Sequence, residues 1–456
     1  MRRRPLLAFV VGVPVVLAIA IPLARRTRAD VPLVKLTGAA LAAAAVAPAP
    51  PSIAGIDLGK IELNDQGATA PLPDRKTARL ALDPTLQRTA DAVMALHHLP
   101  EAAVVMMDVD TGKVLVYANH VEKGPKRDLA IEANAPAASV FKVITASSLV
   151  EHANVTPDQR ECYSGGEQRI TDRDLVPDAK RDRWCTTVAG AMGRSLNTVF
   201  ARLALAHLKP PQLDETARAL GFNAVLPFDV PVQPSTARFP EDNLGFARTA
   251  AGFWNTTLSP IHAAWLSTAI ARGGEPMRPT LVTDIIDDGK VQWTAPVGLG
   301  QKRVMKAETA HAITTMMEST VTDGTSYKAF HDGKGRSFLP GVSVAGKTGT
   351  LAEPSTQRFF TWFTGFAPSK PVVFEGKDAH EAAQPHKVAF AVLVVNDPKW
   401  TIKANVLARE VLRSYFAQKV PGVTAPQLRE SKEPRDASEP GSSTGPATKQ
   451  RLQRGS

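Results

Sequence analysis

The sequence predicts an α+β fold, in which an antiparallel sheet is flanked by N- and C-terminal helices and joined to a mostly helical lobe. Strand-like runs occur near both ends of the central part of the 456-residue chain. Helical patterns fill the segment between them, one more precedes the first strand, and another follows the last. Because early and late strands enclose a helical middle, we expect the sheet to be completed late in the chain.

The first predicted elements are a helix and a hairpin. Asp83 is placed to cap a helix whose first position is Pro84. The stretch "AVVMMDVDTGKVLVYAN" then alternates as two strands and turns at residues 110–112. The helices predicted for the middle of the chain are one near Ser139, "SLNTVFARLALAHL", "PPQLDETARALG" and "SPIHAAWLSTAIARGG".

The last of these helices carries boundary residues, since Ser259 caps it, Pro260 opens it and Gly273 ends it. A further helix is predicted over residues 306–321. The remaining predicted elements are the strands "VSVAGKTGT", "FFTWFTGFAP" and "VAFAVLVVND" and a final helix from about Ile402.

Composition excludes two classes of protein. Hydrophobic residues make up 44% of the chain, which is enough for a large core, so a disordered protein is excluded. The net charge of +10 raises the question of nucleic-acid binding. However, Lys and Arg concentrate only at the two ends and form no basic run interleaved with aromatic residues. We therefore expect no nucleic-acid partner.

Both ends of the chain lie outside the predicted domain. Residues 1–4 form a basic N-terminus, and the uncharged residues 5–24 are long enough to span a bilayer as a signal anchor. Arginines lie on both sides of this span, so the positive-inside rule alone does not give its orientation. A cleaved signal peptide is the alternative. Residues 25–78 are predicted to be an Ala/Pro-rich linker, residues 79–420 the folded domain, and residues 421–456 a disordered tail.

The chain contains two cysteines, Cys162 and Cys185. In an exported domain they can pair, which closes a short loop and stabilises the fold by about 3 kcal/mol. Two unrelated buried thiols are the alternative. His380 and His386 are separated by six positions with a proline between them, so they cannot share a helix face, and we expect neither a metal nor a cofactor.

The stretch "ASVFKVITASSLVE" places a serine and a lysine three residues apart. On a helix, Ser139 and Lys142 share one face and can reach each other. Lys142 is the only charged residue between positions 133 and 150, and burial among apolar side chains lowers a lysine pKa. A neutral amine can then take the proton of a serine hydroxyl. The alternative explanation of Lys142 is a lysine that extends its charge out of a core helix.

Two further motifs count against that alternative. "GRSLNTVF" offers the Ser195 hydroxyl and the Asn197 amide at the start of a helix or in a turn. "AGKTGT" offers the cation of Lys347, two threonine hydroxyls, and a glycine whose missing side chain would let a ligand backbone lie along the strand. Lys347 is also a second cation that would lower the Lys142 pKa further. Together the three motifs favour acyl transfer on a peptide that ends in a free carboxylate.

The S-x-x-K, S-x-N and K-T-G motifs, in this order, resemble the signature of the superfamily of penicillin-binding transpeptidases and serine β-lactamases. Their separations, 195 − 139 = 56 and 347 − 195 = 152 residues, resemble the family's layout. Stretches such as "LDPTLQRTADAV" and "TWFTGFAP" extend the resemblance over about residues 79–418. Two features depart from it: Ala138 stands where Gly is common, and "TAAGFWNTT" replaces a Gly-Gln-Gly-like turn.

The resemblance implies the fold of this family and a role for each motif residue. Ser139 would be acylated, Lys142 would be the base, and Ser195 would pass the proton to the leaving amine. The residues expected to bind substrate are Asn197, Lys347, Thr348, Gly349 and Thr350. The backbone N–H groups of Ser139 and Thr350 would form the oxyanion hole.

The function implied is a penicillin-binding D,D-transpeptidase that forms peptidoglycan cross-links through an acyl-serine intermediate and is inhibited by β-lactams. A D,D-carboxypeptidase differs only in using water as the acceptor. A β-lactamase is disfavoured, because no Glu-x-x-x-Asn element follows the second motif and because Asn197 is unlike class D enzymes. A non-catalytic β-lactam sensor is also disfavoured, because such proteins usually carry further membrane spans or a signalling domain, and we expect neither from this sequence.

The expected partners follow from the same resemblance. They are peptidoglycan stem peptides, β-lactam antibiotics, and the inner membrane through the N-terminal anchor. The stretch before residue 79 is too short for a glycosyltransferase domain, so a separate glycosyltransferase or a cell-wall synthesis complex is an expected partner. Because peptidoglycan lies outside the inner membrane, we expect a single-pass protein with its catalytic domain in the periplasm or extracytoplasmic space.

Overall fold

The computed structural model describes residues 52–165, 169–296, 298–353, 355–374 and 383–428. Its main sheet has five antiparallel strands in the order β12-β13-β14-β4-β5. These strands are β4 (Glu101–Asp108), β5 (Val114–Val121), β12 (Ala345–Ala352), β13 (Phe359–Ala367) and β14 (Val388–Asn396). The two early strands therefore complete a sheet whose other three strands come late in the chain. This arrangement confirms the predicted α+β class and its late antiparallel strands.

The sheet is covered on both faces. Every residue of β14 is buried, as is typical of a central strand with helices on each side. Helix α8 (Pro260–Ala271) packs on the face that includes Val105 and Met107. The pair α1 (Pro84–Leu96) and α11 (Ala404–Phe416) packs on the opposite face, with Val104 and Met106. Alternate residues of β4 thus belong to two different clusters of the core.

The helix boundaries follow from their capping residues. The Asp83 side chain accepts hydrogen bonds from the backbone N–H groups of Thr85 and Leu86, and Pro84 opens α1. Ser259 caps α8 in the same way, and Gly273 follows that helix with a φ of 65°. The start predicted for α1 and both ends predicted for α8 are confirmed.

The helical lobe lies between β5 and β12 in the chain. A 3-10 helix at Ala138–Phe141 runs directly into α2 (Lys142–Ala153). The other helices are α3 (Asp172–Leu175), α4 (Val188–Gly193), α5 (Asn197–His207), α6 (Pro210–Ala219), α7 (Asn243–Ala250), α9 (Ala307–Thr322) and α10 (Tyr327–Phe330). Two short strand pairs join β6 (Ala135–Pro136) to β9 (Thr257–Leu258) and β7 (Arg160–Tyr163) to β8 (Trp184–Thr187).

The boundary predicted between linker and domain is wrong. The strands β1 (Glu62–Asn64), β2 (Gly67–Pro71) and β3 (Thr77–Leu80) form a second sheet with β10 (Val282–Asp287) and β11 (Lys290–Thr294). The buried side chains on β2 and β3 are mostly alanines, such as Ala68, Ala70 and Ala78. Small apolar residues give a weak alternation, so a sequence rich in Ala and Pro conceals these strands.

The predicted anchor at residues 5–24, most of the tail and part of the predicted linker lie outside the described residues. Within the described ranges, no helix is long and apolar enough to cross a membrane.

Candidate active site

The first motif lies at the junction of the 3-10 helix and α2. Ser139 is half-buried within the 3-10 helix, and Lys142 is the first residue of α2. Ala138 has a φ of 48°, in the left-handed region that costs an alanine free energy and that a glycine adopts freely. This conformation explains in physical terms why glycine suits the position before the nucleophile.

Lys142 is fully buried, and its Nζ has three oxygen partners. It lies 2.7 Å from Ser139 Oγ, 2.7 Å from Asn197 Oδ1 and 2.5 Å from the Ala251 carbonyl oxygen. Burial, and then the charge of Lys347, hold the Lys142 pKa well below its ordinary value. A neutral amine has two protons and one lone pair, so it can donate to two of these oxygens and accept the proton of the serine hydroxyl.

The second and third motifs meet at another buried lysine. Ser195 lies in the turn between α4 and α5 with a φ of 59°, and Asn197 is the first residue of α5. Lys347 Nζ donates to Ser195 Oγ at 2.9 Å and to the Thr348 carbonyl oxygen at 2.9 Å. Burial lowers the Lys347 pKa to about 7. The structure thus brings both lysines and both serines of the three motifs into one cleft.

The remaining residues of the third motif lie on β12, an edge strand of the main sheet. Thr350 is exposed at this edge and Thr348 is half-buried. The sequence suggested that the missing side chain of Gly349 leaves space for a ligand backbone, but other residues of the protein fill this space. A Cβ there would stand 3.2 Å from the Ala138 Cβ and 3.2 Å from the Trp362 Cβ. The glycine therefore lets the helix that carries the nucleophile pack directly against the strand.

Two further residues of the cleft, Thr325 and Gly252, lie outside the three sequence motifs and were not predicted. Thr325 Oγ1 lies 2.7 Å from Thr348 Oγ1 and 3.2 Å from the Gly193 carbonyl oxygen, so it joins the second motif to the third. Gly252 has a φ of 86°, and a Cβ there would lie 2.2 Å from the Ala138 carbonyl oxygen. In the sequence, Thr325 follows a glycine that comes just after a helix, in "TDGTSY", and Gly252 is itself such a glycine, in "TAAGFW". A glycine just after a helix is the sequence signal that could have located these two residues.

The match of the chain to a known protein family shows to which family it belongs. The model of the penicillin binding protein transpeptidase domain matches residues 102–394, more than half of the chain. The chain belongs to this family. The resemblance inferred from the three motifs is confirmed, and the matched range includes all eight motif residues.

Relatives of this transpeptidase domain include two named bacterial proteins. The chain is 28% identical over 281 residues to the peptidoglycan D,D-transpeptidase PbpA of Mycobacterium tuberculosis, covering 60% of this chain and 52% of that protein. It is 24% identical over 340 residues to the stage V sporulation protein D of Bacillus subtilis, covering 70% and 48%. The chain thus spans about half the length of these relatives.

Solved structures with the same transpeptidase fold agree with the predicted architecture. The crystal structure of PBPA from Mycobacterium tuberculosis has a TM-score of 0.59 at 22% identity, covering 74% of this chain and 82% of that one. The D,D-transpeptidase domain from Eggerthella lenta has a TM-score of 0.58 at 22% identity, covering 75% and 83%. At this identity the likeness establishes the fold.

Among the described residues, no group of three or more His, Cys, Asp or Glu side chains could hold a metal ion. Outside the cleft, Cys162 and Cys185 are joined in a disulfide that links β7 to β8.

Proposed function

We propose that the protein is a D,D-transpeptidase that cross-links peptidoglycan stem peptides through an acyl-Ser139 intermediate, and that β-lactams inhibit it by acylating the same serine. The observation that carries this proposal is the position of Lys142. Its buried Nζ lies 2.7 Å from Ser139 Oγ, with a pKa well below the ordinary value. A serine beside a neutral amine is an activated nucleophile.

In the acylation step, Ser139 Oγ attacks the carbonyl carbon of the penultimate D-Ala while Lys142 Nζ takes the hydroxyl proton. The peptide bond to the terminal D-Ala breaks, and an ester to Ser139 forms. Ser195 gives its hydroxyl proton to the leaving amine and regains one from Lys142, which returns to the neutral amine. Lys347 Nζ, 2.9 Å from Ser195 Oγ, supplies the charge that supports this transfer. An amine from a second stem peptide then attacks the ester, and Ser139 recovers its proton.

The substrate carboxylate is held by the third motif. Protonated Lys347 provides the positive charge, and the hydroxyls of Thr348 and Thr350 provide hydrogen bonds. Asn197 binds the substrate amide. The backbone N–H groups of Ser139 and Thr350 stabilise the oxyanion of the tetrahedral intermediate. Because β12 is an edge strand, a peptide can add to it as a further strand.

A β-lactamase needs a base that activates water against the acyl-serine. The hydrogen bonds of Ser139, Lys142, Ser195 and Lys347 among the described residues include no carboxylate. A long-lived acyl-enzyme is therefore expected. A D,D-carboxypeptidase remains the second candidate, because it would use the same residues and differ only in the acceptor.

The proposed setting is the outer face of the cytoplasmic membrane. Residues 5–24 would anchor the chain with residues 1–4 in the cytoplasm, and the catalytic domain would face the peptidoglycan. A separate glycosyltransferase, or a complex that contains one, would supply the glycan strands.

The proposal is tested by intact-mass measurement of the full chain incubated with penicillin over time. A stable adduct in the parent and in Ser337→Ala, but not in Ser139→Ala, is expected; Ser337 is an exposed serine outside the cleft. Rapid loss of the adduct would identify a β-lactamase, and no adduct would refute the proposal. Adding a stem-peptide donor with an amine acceptor then separates cross-linking from trimming.

A further inference from the structure

The C-terminus of α7 is buried against the helix that carries the catalytic base. An α-helix leaves its last four carbonyl groups without partners inside the helix, so a buried end needs donors from elsewhere. Helix α7 ends at Ala250, and both Ala250 and Ala251 are buried. Lys142 Nζ donates to the Ala251 carbonyl oxygen at 2.5 Å. The Thr145 hydroxyl donates to the Ala250 carbonyl oxygen at 2.7 Å. Two side chains of α2 therefore bind the end of α7.

Thr145 lies on the same face of α2 as Lys142, three residues further along the helix. It is fully buried, and its hydroxyl lies near two carbonyl oxygens. The Ala250 oxygen is 2.7 Å away, whereas the Phe141 oxygen, in the preceding turn, is 3.4 Å away. Because a hydroxyl has one proton, the shorter bond takes it. The hydrogen bond of Thr145 therefore joins two helices rather than two turns of one helix.

The Ala251 carbonyl restricts the direction of the Lys142 lone pair. A neutral amine has two protons and one lone pair, and Lys142 Nζ has three oxygen neighbours. The carbonyl oxygens of Ala251 and of the Asn197 side chain have no proton to give, so they can only accept. When they take the two amine protons, the lone pair faces the third neighbour, Ser139 Oγ, at 2.7 Å. Proton transfer from the serine requires this direction.

The same carbonyl stabilises the charge that forms when the proton has moved. Lys142 becomes an ammonium in a fully buried site when it takes the Ser139 proton. The C-terminus of a helix carries a partial negative charge, and a carbonyl oxygen binds an ammonium more strongly than a neutral amine. The charge of Lys347, on β12, acts in the opposite direction because it repels the ammonium. The end of α7 thus offsets part of this repulsion.

On the basis of the proposed function, we propose that Thr145 is a positioning residue for acylation. It holds the end of α7 so that the Ala251 carbonyl aims the Lys142 lone pair at Ser139 and stabilises the ammonium that forms. Thr145 itself touches neither the substrate nor the reacting atoms. Loss of its hydroxyl therefore slows the proton transfer and leaves unchanged the binding of the substrate carboxylate, which uses Lys347 and the threonines of the third motif.

The test separates the binding of penicillin from its reaction. Stopped-flow acylation of the full chain over a range of penicillin concentrations gives the dissociation constant of the noncovalent complex and the first-order rate of acylation. Thr145→Val keeps the shape of the side chain and removes the hydroxyl. We expect the first-order rate to fall about tenfold, because the lone pair loses its direction, and the dissociation constant to stay within about twofold of the parent value.

Two variants of α2 are the controls. Thr145→Ser keeps the hydroxyl and should acylate at the parent rate. Ser147→Ala removes a hydroxyl that is equally buried but donates to the Val143 carbonyl oxygen of its own helix at 2.8 Å, so both constants should stay within about twofold of the parent. Complete acylation at long times, measured by intact mass, shows that a variant is folded. If Thr145→Val does not fold, Thr145→Cys keeps a weak donor, and its first-order rate should lie below that of Thr145→Ser.

Three results would overturn the inference. The first is an unchanged first-order rate in Thr145→Val. The second is a fall in that rate with an equal weakening of penicillin binding, and the third is the same fall in Ser147→Ala, because either would indicate a loosened cleft instead of a misdirected amine. Each is distinguishable from failure of the proposed function, because in that case the parent itself would not be acylated by penicillin.

Discussion

Thr325 Oγ1 lies 2.7 Å from Thr348 Oγ1, although 23 residues separate the two in the chain. Thr325 also donates to the Gly193 carbonyl oxygen at 3.2 Å, which uses its one hydroxyl proton, so in the free enzyme Thr348 is the donor in the bond between the threonines. When the substrate carboxylate binds, Thr348 must turn this proton from Thr325 to the carboxylate. Thr325 therefore orients a hydroxyl of the third motif while holding the turn that precedes Ser195.

Removing the Thr325 hydroxyl should weaken this connection without changing the shape of the side chain. Thr325→Val leaves the Thr348 hydroxyl without its partner, so we expect acylation by penicillin to slow about tenfold and stability to fall by about 1 kcal/mol. Stopped-flow acylation and urea unfolding measure the two effects.

The hydroxyl-retaining variant Thr325→Ser is the control and should acylate near the parent rate. The combination of Thr325→Val with Thr348→Val should cost less than the sum of the two single changes, because both remove one interaction. Strictly additive losses would show that Thr325 does not act through Thr348.

Gly252→Ala should disrupt the nucleophile rather than the fold. Its Cβ would stand 2.2 Å from the Ala138 carbonyl oxygen, and the φ of 86° is unfavourable for alanine. Relief of this clash must move the helix that carries Ser139, and a displacement of about 1 Å can cost 10²-fold in rate. We expect such a loss in acylation, together with about 2 kcal/mol of stability.

Gly289→Ala provides the matched control for this prediction. Gly289 has a φ of 75°, but no atom lies within 4 Å of the position its Cβ would take. It should lose about 1 kcal/mol of stability from backbone strain and acylate normally. Equal acylation rates in the two alanine variants would contradict the role assigned to Gly252.

Elements with a strong local signal could be predicted from the sequence, and elements that depend on distant contacts could not. The buried run of β14 and the capping residues Asp83 and Ser259 specify their elements locally, and the three motifs predicted residues that the structure brings into one cleft. Thr325 was missed because its role depends on a contact between elements far apart in the chain. The strands β2 and β3 were missed because their buried residues are mostly alanines, which carry little periodic signal, and β1 was missed because it has only three residues.

The disulfide should stabilise the helical lobe. Cys162 and Cys185 close a loop with a sequence separation of 23, for which the chain-entropy model gives about 3 kcal/mol. We expect the double variant Cys162→Ser/Cys185→Ser to lose about this much free energy of unfolding in urea. Its acylation rate should change little, because the salt bridge between Asp182 and Arg202, at 2.7 Å, still holds the loop between the two cysteines against α5.

Reducing agent supplies the internal control. The parent protein with its disulfide reduced should unfold at the same urea concentration as the double variant, and reductant should leave the double variant unchanged. A parent protein that is insensitive to reduction would contradict the stabilising role of the bond.

Acylation by penicillin should depend on pH through both buried lysines. Burial and the charge of Lys347 hold the pKa of Lys142 well below its ordinary value, so this amine loses its proton and becomes a base at a lower pH than an ordinary lysine. The acylation rate should rise as pH increases through that pKa. Lys347 has a pKa of about 7, so the free enzyme loses its carboxylate-binding charge above that pH. The second-order acylation rate should therefore pass through a maximum and fall on the alkaline side of about pH 7.

Removing each lysine in turn shows which of them causes the rise of the acylation rate on the acid side of its maximum (the acid limb) and which causes its fall on the alkaline side (the alkaline limb). Lys142→Ala should slow acylation by about 10³-fold and abolish the acid limb, because no base remains beside Ser139. Lys347→Ala should weaken acylation at every pH and abolish the alkaline limb, since the titrating charge is gone. An acylation rate that still rises above pH 9 in the parent would show that Lys347 keeps its proton in the free enzyme. An unchanged rate in Lys142→Ala would remove the lysine from the chemistry.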